Sequence, residues 1–341
     1  EFPAALGCRT HALSRQFDVM GGALSHNAPD MATAAGYGSS PHFLYSGTDK
    51  DGRNFQLMEI LYGGIPGRPI GDGMDGHSWW PLFENIPAEY LETYYPMLIE
   101  GYNSVMDTGG PGLHRGGNGI EKVYHLLAEG DVSIHDDRHI SQPWGILGGK
   151  PGAVSHKWLI TKDGEKSPLA SKIDNVRVRP GDRIVFCTAG GGGWGDPLER
   201  DFGAVRNDVA RRLVSPEAAR NEYGVVIYEK KLSVDETKTL RAQMRNQKQE
   251  TPNNNGQAFN FGFNEYRQNF EKVWTQKNYS VLMEAIWRLP VDWRFFVKHQ
   301  VFARMDRLDQ SDIIGDGTEI ERLLKEIARE YPDISNDLYP H

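Results

Sequence analysis

GGGGWGDP, residues 190–197, is the stretch on which the reading of this chain turns. Four glycines, a tryptophan, a fifth glycine and Asp196-Pro197 allow three structures. Glycine amides that open a helix can cradle phosphate. Glycines also let two backbones approach more closely than any side chain permits. A glycine-rich segment can also line a substrate path and move. A phosphate loop of the G-x-x-x-x-G-K-[ST] kind needs a lysine on the phosphate and a hydroxyl on Mg²⁺. Here Trp194-Gly195-Asp196 follows the run, no lysine is near, and the Asp196 carboxylate repels phosphate. A close backbone contact is therefore the first reading, and a segment lining a substrate path the second.

The run is also a seam. Upstream, Val176–Thr188 (VRVRPGDRIVFCT) reads as two strands around a Pro-Gly-Asp turn. Strand patterns recur at His42–Ser46, Phe55–Tyr62, Tyr94–Tyr102, Gly119–Leu127, Val132–His135 and Lys157–Ile160, with turns at 48–52, 109–112, 148–152 and 162–164. That spacing predicts a β-sandwich or barrel-like layer. Downstream the period becomes helical. Asp196 caps a short turn with Pro197 at its first position, Asp201 caps a helix running to about Leu213, and Ser215-Pro216-Glu217 opens another that Gly224 stops. Near the start, Arg9–Leu24 reads as a helix, with Leu13, Phe17, Met20 and Leu24 at helical spacing. Residues 63–76, GGIPGRPIGDGMDG, read as irregular, and a loop of that length in a compact domain is usually functional.

Residues 246–262 are polar and low in complexity and read as a linker; 263–331 are helical again, interrupted at Pro290, with an amphipathic helix over Glu319–Tyr331. The expected class is α+β. A β-rich core covers about 42–190, preceded by an N-terminal helix and followed by helices at about 197–224. The expected domains are 1–228 and a helical extension, 229–341.

The chain has 341 residues, 39% hydrophobic and 25% charged, with a net charge of −8. That composition suits a packed globular core and disfavours nucleic acid or an anionic membrane as the main partner. Cys8 and Cys187 form neither a disulfide framework nor a zinc motif, so a reducing, cytoplasmic home is the default. No apolar run approaches the ~20 residues of a membrane span. The chain opens Glu-Phe-Pro without Met, and is read as a piece of something longer or a processed product.

Three sets of residues carry candidate chemistry. His135 and His139 in HDDRH would share a helix face as in zinc motifs, but Val132-Ser133-Ile134 reads as a strand running into a loop, where helical spacing loses its meaning. Glu59, Arg68, Asp72, Asp75 and His77 surround the 63–76 loop. They read either as a pocket wall or as a polar turn network with Arg68 paired to Asp72 or Asp75. In the pocket reading Arg68, with Glu59 and Asp72, holds a carboxylate or bicarbonate, and His77 or Asp75 moves protons. His114-Arg115 lies between glycine turns and could touch an anion, although a surface turn is the simpler reading. Trp287, Trp293, Phe295, Phe296 and Phe302 read as the core of a helical subdomain or a surface buried on a partner subunit.

Five motifs in order, GGIPGRPIGDGMDGHS (63–78), GGPGLHRGGNG (109–119), PWGILGGKPG (143–152), GGGGWGDPLERD (190–201) and LVSPEAARNEYGVV (213–226), resemble the C-terminal half of the hydantoinase B family. That family includes large subunits of ATP-dependent N-methylhydantoinases, oxoprolinases, acetophenone carboxylase and acetone carboxylase. The resemblance spans about 1–228, and the extension with WRLPVDWRFFVKHQVF (287–302) is similar to that of the acetone carboxylase α subunit. It implies ATP-driven carboxylation of acetone by bicarbonate through phosphorylated intermediates. The rivals are an N-methylhydantoinase- or oxoprolinase-type hydrolase, an acetophenone carboxylase subunit, or a scaffold subunit. It implies Mg-ATP on a hydantoinase A-like partner, a small third subunit, and a divalent metal, Mn²⁺, on the N-terminal half of the same subunit, with no ligands in this chain.

Overall fold

The computed structural model describes residues 9–79, 84–229, 231–249, 265–309 and 313–338. The chain forms two compact units, 1–260 and 261–341.

The first unit is α+β. Helix α1 (Arg9–Ser25) precedes hairpin β1 (His42–Thr48)–β2 (Asn54–Ile60); then come α2 (Ala88–Tyr94), β3 (Met97–Ser104), β4 (Ile120–Leu126), β5 (Gly130–His135), β6 (His156–Ile160), β7 (Lys166–Pro168), β8 (Lys172–Val178) and β9 (Arg183–Cys187). These strands make two antiparallel sheets, β2-β1-β5-β8 and β3-β4-β9-β6-β7. The alternation that marks strands sends Phe43, Tyr45, Val132 and Ile134 of one sheet, and Tyr124, Leu126, Ile184 and Phe186 of the other, into one core. The Phe43 and Tyr124 rings stack across it with centroids 4.0 Å apart. Sandwich is thus the right description. The two strands around Pro180-Gly181-Asp182 are not paired with each other: β8 pairs with β5 and β9 with β4 and β6, so this turn carries the chain from one sheet to the other. Tyr94 ends α2 rather than starting a strand. Pro87 precedes that helix, and Glu89 sits in its first turn, where a carboxylate is favourable.

The glycine run ends the sandwich. Every backbone amide from Gly190 to Gly195 is already spent: on Ala153 O, Gly117 O, Ala35 O, Lys150 O, His114 O and Ile146 O, at 2.7–3.2 Å. Neighbouring segments return the contact, with Gly110 N on Gly191 O, Gly67 N on Gly192 O and Ile146 N on Gly193 O. Extended backbones are bundled too tightly for side chains. A Cβ on Gly192 would lie 2.0 Å from Trp144 O, and one on Gly116 2.0 Å from Gly191 O. This is the packing logic that demands glycine at the axis of a collagen helix. The run is the axial strand of a glycine bundle, and its amides leave nothing for a phosphate.

Beyond it the local capping chemistry holds. Asp196 Oδ1 accepts from Leu198 N, Asp201 Oδ1 from Ala204 N at the start of α3 (Phe202–Ala210), and Ser215 Oγ from Ala218 N at the start of α4 (Pro216–Tyr223); Gly224 ends α4 at φ +62°. Hairpin β10 (Ile227–Tyr228)–β11 (Lys231–Leu232) and α5 (Val234–Gln249) follow. Helix α5 packs in the first unit, Arg241 donating to Tyr223 O and Arg200 O, so this unit runs past residue 228. Residues 246–249 of the polar stretch continue α5, and 250–262 lie outside the described residues.

Helix α1 packs contrary to its pattern. His11, Ser14, Asp18 and Ser25 are buried, while Leu13, Phe17, Met20 and Leu24 are exposed. The reason is a polar lock: Asp18 accepts from Arg138 at 2.5 Å and from Gly36 N at 3.1 Å, both inside.

The second unit is helical: α6 (Glu265–Val273), α7 (Gln276–Arg288), α8 (Val291–Met305), α9 (Thr318–Glu330) and α10 (Ser335–Leu338). Its core includes Leu282, Val297, Val301, Leu323 and Ile327. Pro290 separates α7 from α8. Of the aromatic set, Trp293, Phe296 and Phe302 pack on that core, whereas Trp287 and Phe295 are exposed.

Candidate functional site

The 63–77 loop lies against the glycine bundle and is tied down at both ends, Ile65 N bonding Met74 O and His77 N bonding Gly63 O. Its carboxylates are taken up by two arginines from distant segments. Arg200 grips Asp72 with Nη1 and Nη2, both at 2.6 Å, and reaches Asp208 Oδ2 with Nη2 at 2.8 Å. Arg115 grips Asp75 at 2.7 and 3.2 Å, and its backbone N donates to Asp72 Oδ1. Asn118 N completes Asp75 Oδ1 at 2.6 Å, and the Asn118 side chain bridges Gly109 N and Leu213 O. Loop, bundle, helix α3 and the connection that follows it thus share one network.

Charge follows geometry. Burial raises the Asp72 carboxyl, but Arg200 and then Arg115 outweigh it and hold the group below its ordinary range. Asp208 goes the other way, since burial there exceeds the help of Arg200 and Arg115. The opposed carboxylates hold Arg200 and Arg115 firmly protonated against burial.

Arg68 pairs with neither Asp72 nor Asp75. It is half-buried, gives one Nη2 bond to Asp72 O at 3.1 Å, and its buried Nε has no acceptor among the described residues. His77 is exposed, with Nδ1 2.7 Å from Ser78 O. His114 lies beside them, 3.9 Å from Asp72 Oδ1, with its ring 5.7 Å from that of Trp194. The structure therefore brings Arg68, Asp72, Asp75 and His77 into one loop, with the aspartates spent on arginines and Arg68 carrying unspent donors. Glu59 does not join them. It is 1% exposed inside the sandwich, bonded to Lys122 Nζ at 2.6 Å and Tyr124 Oη at 2.5 Å. The signal for this was present: in IEKVYHL, Lys122 shares the apolar face with Ile120, Tyr124 and Leu126 and needs a buried counter-charge.

HDDRH forms a second buried network rather than a metal cluster. Asp136, 1% exposed, contacts Lys157 Nζ and accepts from Ser39 Oγ and Ser155 Oγ, both at 2.5 Å. His139 Nε2 lies 2.7 Å from Lys157 Nζ, and His135 faces Asp174 at 2.8 Å. Burial pulls His139 down to about 4 and the Lys157 amine down from 10.5 to about 6, even though Lys157 Nζ contacts Asp136. Arg138, lowered to about 10 by burial and Arg15 against the pull of Asp18, locks α1. The signal was present in the alternation: Val132 and Ile134 point inward, and at the same period of two Asp136 and Arg138 follow them in while His135 faces out.

A family model described as hydantoinase B/oxoprolinase matches residues 1–197, more than half of the chain. The chain belongs to this family. Among the family's curated proteins, an uncharacterised protein of Methanocaldococcus jannaschii is 37% identical over 244 residues, 70% of this chain and 42% of that protein. The caprolactamase β subunit of Pseudomonas jessenii is 31% identical over 244 residues, 65% of this chain and 40% of that protein. Among solved structures, an ATP-dependent caprolactamase from Pseudomonas jessenii superposes with a TM-score of 0.58 at 28% identity, covering 64% of this chain and 40% of that one. A nucleotide-free acetone carboxylase shares the fold with a TM-score of 0.61 at 18% identity, covering 86% of this chain and 44% of that one. This hydantoinase B/oxoprolinase chain thus spans less than half the length of the relatives it matches.

Within the family unit, the described residues do not fit a metal. None of their His, Cys, Asp and Glu side chains form a group of three or more arranged to hold one, and the loop carboxylates are neutralised by Arg115 and Arg200. A shallow groove of about 240 Å³ along Thr318, Arg322, Lys325 and Arg329 is the solvated face of α9, remote in kind from this chemistry. No helix among the described residues is long and apolar enough to cross a membrane.

Proposed function

We propose that this chain is part of the α subunit of an ATP-dependent acetone carboxylase, which joins acetone and bicarbonate to give acetoacetate. The observation that carries this reading is the reach of the fold likeness. The acetone carboxylase superposition covers 86% of the chain, more residues than the 260 of the first unit, so it extends into the helical second unit; the caprolactamase superposition covers 64%. In this reading the chain supplies a channel wall and subunit interface. Arg68, with donors unspent at the loop, holds a carboxylate or bicarbonate in fork geometry, and exposed His77 exchanges a proton with the substrate. Asp72 and Asp75 set the loop's shape through Arg200 and Arg115. Mg-ATP binds a hydantoinase A-like partner, a divalent metal (Mn²⁺) binds the remainder of the subunit, and a small third subunit completes a cytoplasmic complex.

A second reading, an ATP-dependent hydrolase of cyclic amides, is favoured by sequence: identity in the superposed regions is 28% with the caprolactamase against 18% with the acetone carboxylase. Steady-state assay of the natural complex separates the two. Acetoacetate formed from acetone, bicarbonate and ATP supports the carboxylase; ATP-dependent opening of lactam or hydantoin rings without acetoacetate overturns it. Unchanged turnover in Arg68→Ala and His77→Ala complexes that assemble normally would reduce this chain to a scaffold.

A further inference from the structure

Helix α1 presents an uncharged, largely apolar surface outward. Its exposed positions are Ala12, Leu13, Gln16, Phe17, Val19, Met20, Ala23 and Leu24. Met20 and Leu24 are 60% and 64% exposed and Val19 70%, while Phe17 leans on Trp79 with rings 6.1 Å apart. The helix is not free to roll this surface inward. Asp18 and Arg138 are ion-paired with side chains 6% and 5% exposed, Gly36 N donates to Asp18 Oδ1, and Ser14 and His11 contact Ser39 and Ser40. Rolling α1 would take the Asp18 carboxylate from the buried Arg138 guanidinium and leave the Gly36 amide without its acceptor. The polar face is committed inward and the apolar face outward, which marks an interaction surface.

What covers it follows from the length of the relatives. Helix α1 lies inside the family match, 1–197, so it is part of the hydantoinase B unit itself. The chain spans 42% and 40% of two matched relatives, so more than half of such a unit has no counterpart here. We infer that the Leu13–Met20–Leu24 stripe is the seat of the remaining portion of the hydantoinase B unit, which docks on it through an apolar surface of its own. The absence of charge on the stripe suits a permanent contact within one unit, where charged residues are depleted.

The test uses the natural, intact protein with the photo-crosslinker p-benzoylphenylalanine at Met20 or, in a second variant, at Leu24. Lys50, at the tip of the β1–β2 hairpin, is the control position. On irradiation both stripe positions are expected to cross-link, at least tenfold above Lys50, to peptides of the hydantoinase B unit outside this 341-residue sequence. Cross-links to α1 of a second copy, to residues 1–8 or 80–83, to a nucleotide-binding partner, or none above the control would each overturn the inference.

Discussion

Asp72 and Arg200, 128 residues apart, face each other through two parallel N–H···O bonds of 2.6 Å each. One residue is in the glycine-rich loop and the other follows the glycine run, so the pair fastens the loop to the helical end of the unit. Arg200→Lys keeps the charge but loses the fork. Because the Asp72 side chain is 37% exposed, the cost should be about 2 kcal/mol, below the 3–5 of a fully buried broken pair. Denaturant unfolding checks this; an unchanged midpoint would mean the pair holds nothing.

The glycine bundle makes a sharper prediction. Gly192→Ala places a methyl 2.0 Å from the backbone oxygen of Trp144, which cannot swing aside. Its effect should exceed about 4 kcal/mol, the range tied to severe steric defects. Gly71→Ala in the adjoining loop meets nothing within 4 Å and should leave the melting temperature within a few degrees. Equal behaviour of the two variants would contradict the bundle.

How much of this was legible depended on range. Asp196, Asp201, Ser215 and Gly224 were readable because each capping bond joins residues two to five apart. The sandwich strands were readable from alternation. The 63–77 loop reads from sequence as polar and glycine-rich, either a pocket wall or a turn network in which Arg68 pairs with Asp72 or Asp75 from within the loop. The arginines that take the aspartates come from positions 115 and 200, and no local pattern selects them. Glu59 was grouped with the loop by proximity in sequence, while strand β2 carries it into the core. Helix α1 shows the period rule at its limit: spacing identified the helix, and a buried Asp18–Arg138 pair decided which face turned inward.

The Asp136–Lys157 pair predicts coupling. Both side chains are at most 1% exposed. Asp136→Asn or Lys157→Met alone should each cost about 1–3 kcal/mol, since either leaves the other member of the pair buried without its partner. The double variant should cost clearly less than the sum. Strict additivity in a double-mutant cycle would contradict a mutual charge pair.

Acid should loosen the first unit. Burial pulls His11 and His139 down to about 4 from the ordinary 6.5, so both are neutral in the fold while the unfolded chain takes up protons below 6.5. The stability they contribute is complete above pH 6.5 and is lost as pH falls toward 4. Thermal melts should show the decline across that window, roughly 2–4 °C per kcal/mol lost for a unit of this size. The His11→Gln/His139→Gln variant should lose much of this slope; an identical slope would assign it to other groups.

Arg68 keeps donors without acceptors among the described residues, so under the proposed carboxylase reading Arg68→Lys should raise KM for bicarbonate about tenfold or more while unfolding stays near wild type, because the Arg68 side chain makes one bond in the fold, to Asp72 O. A change in stability without a change in KM would make Arg68 structural.

The central claim is tested most directly by ¹³C NMR of the natural complex supplied with acetone, ATP and ¹³C-bicarbonate. A carboxylase should yield acetoacetate labelled at its carboxylate carbon, only when ATP is present. No labelled acetoacetate, together with ATP-dependent ring opening of caprolactam, oxoproline or hydantoin, would contradict the carboxylase account and establish the hydrolase in its place.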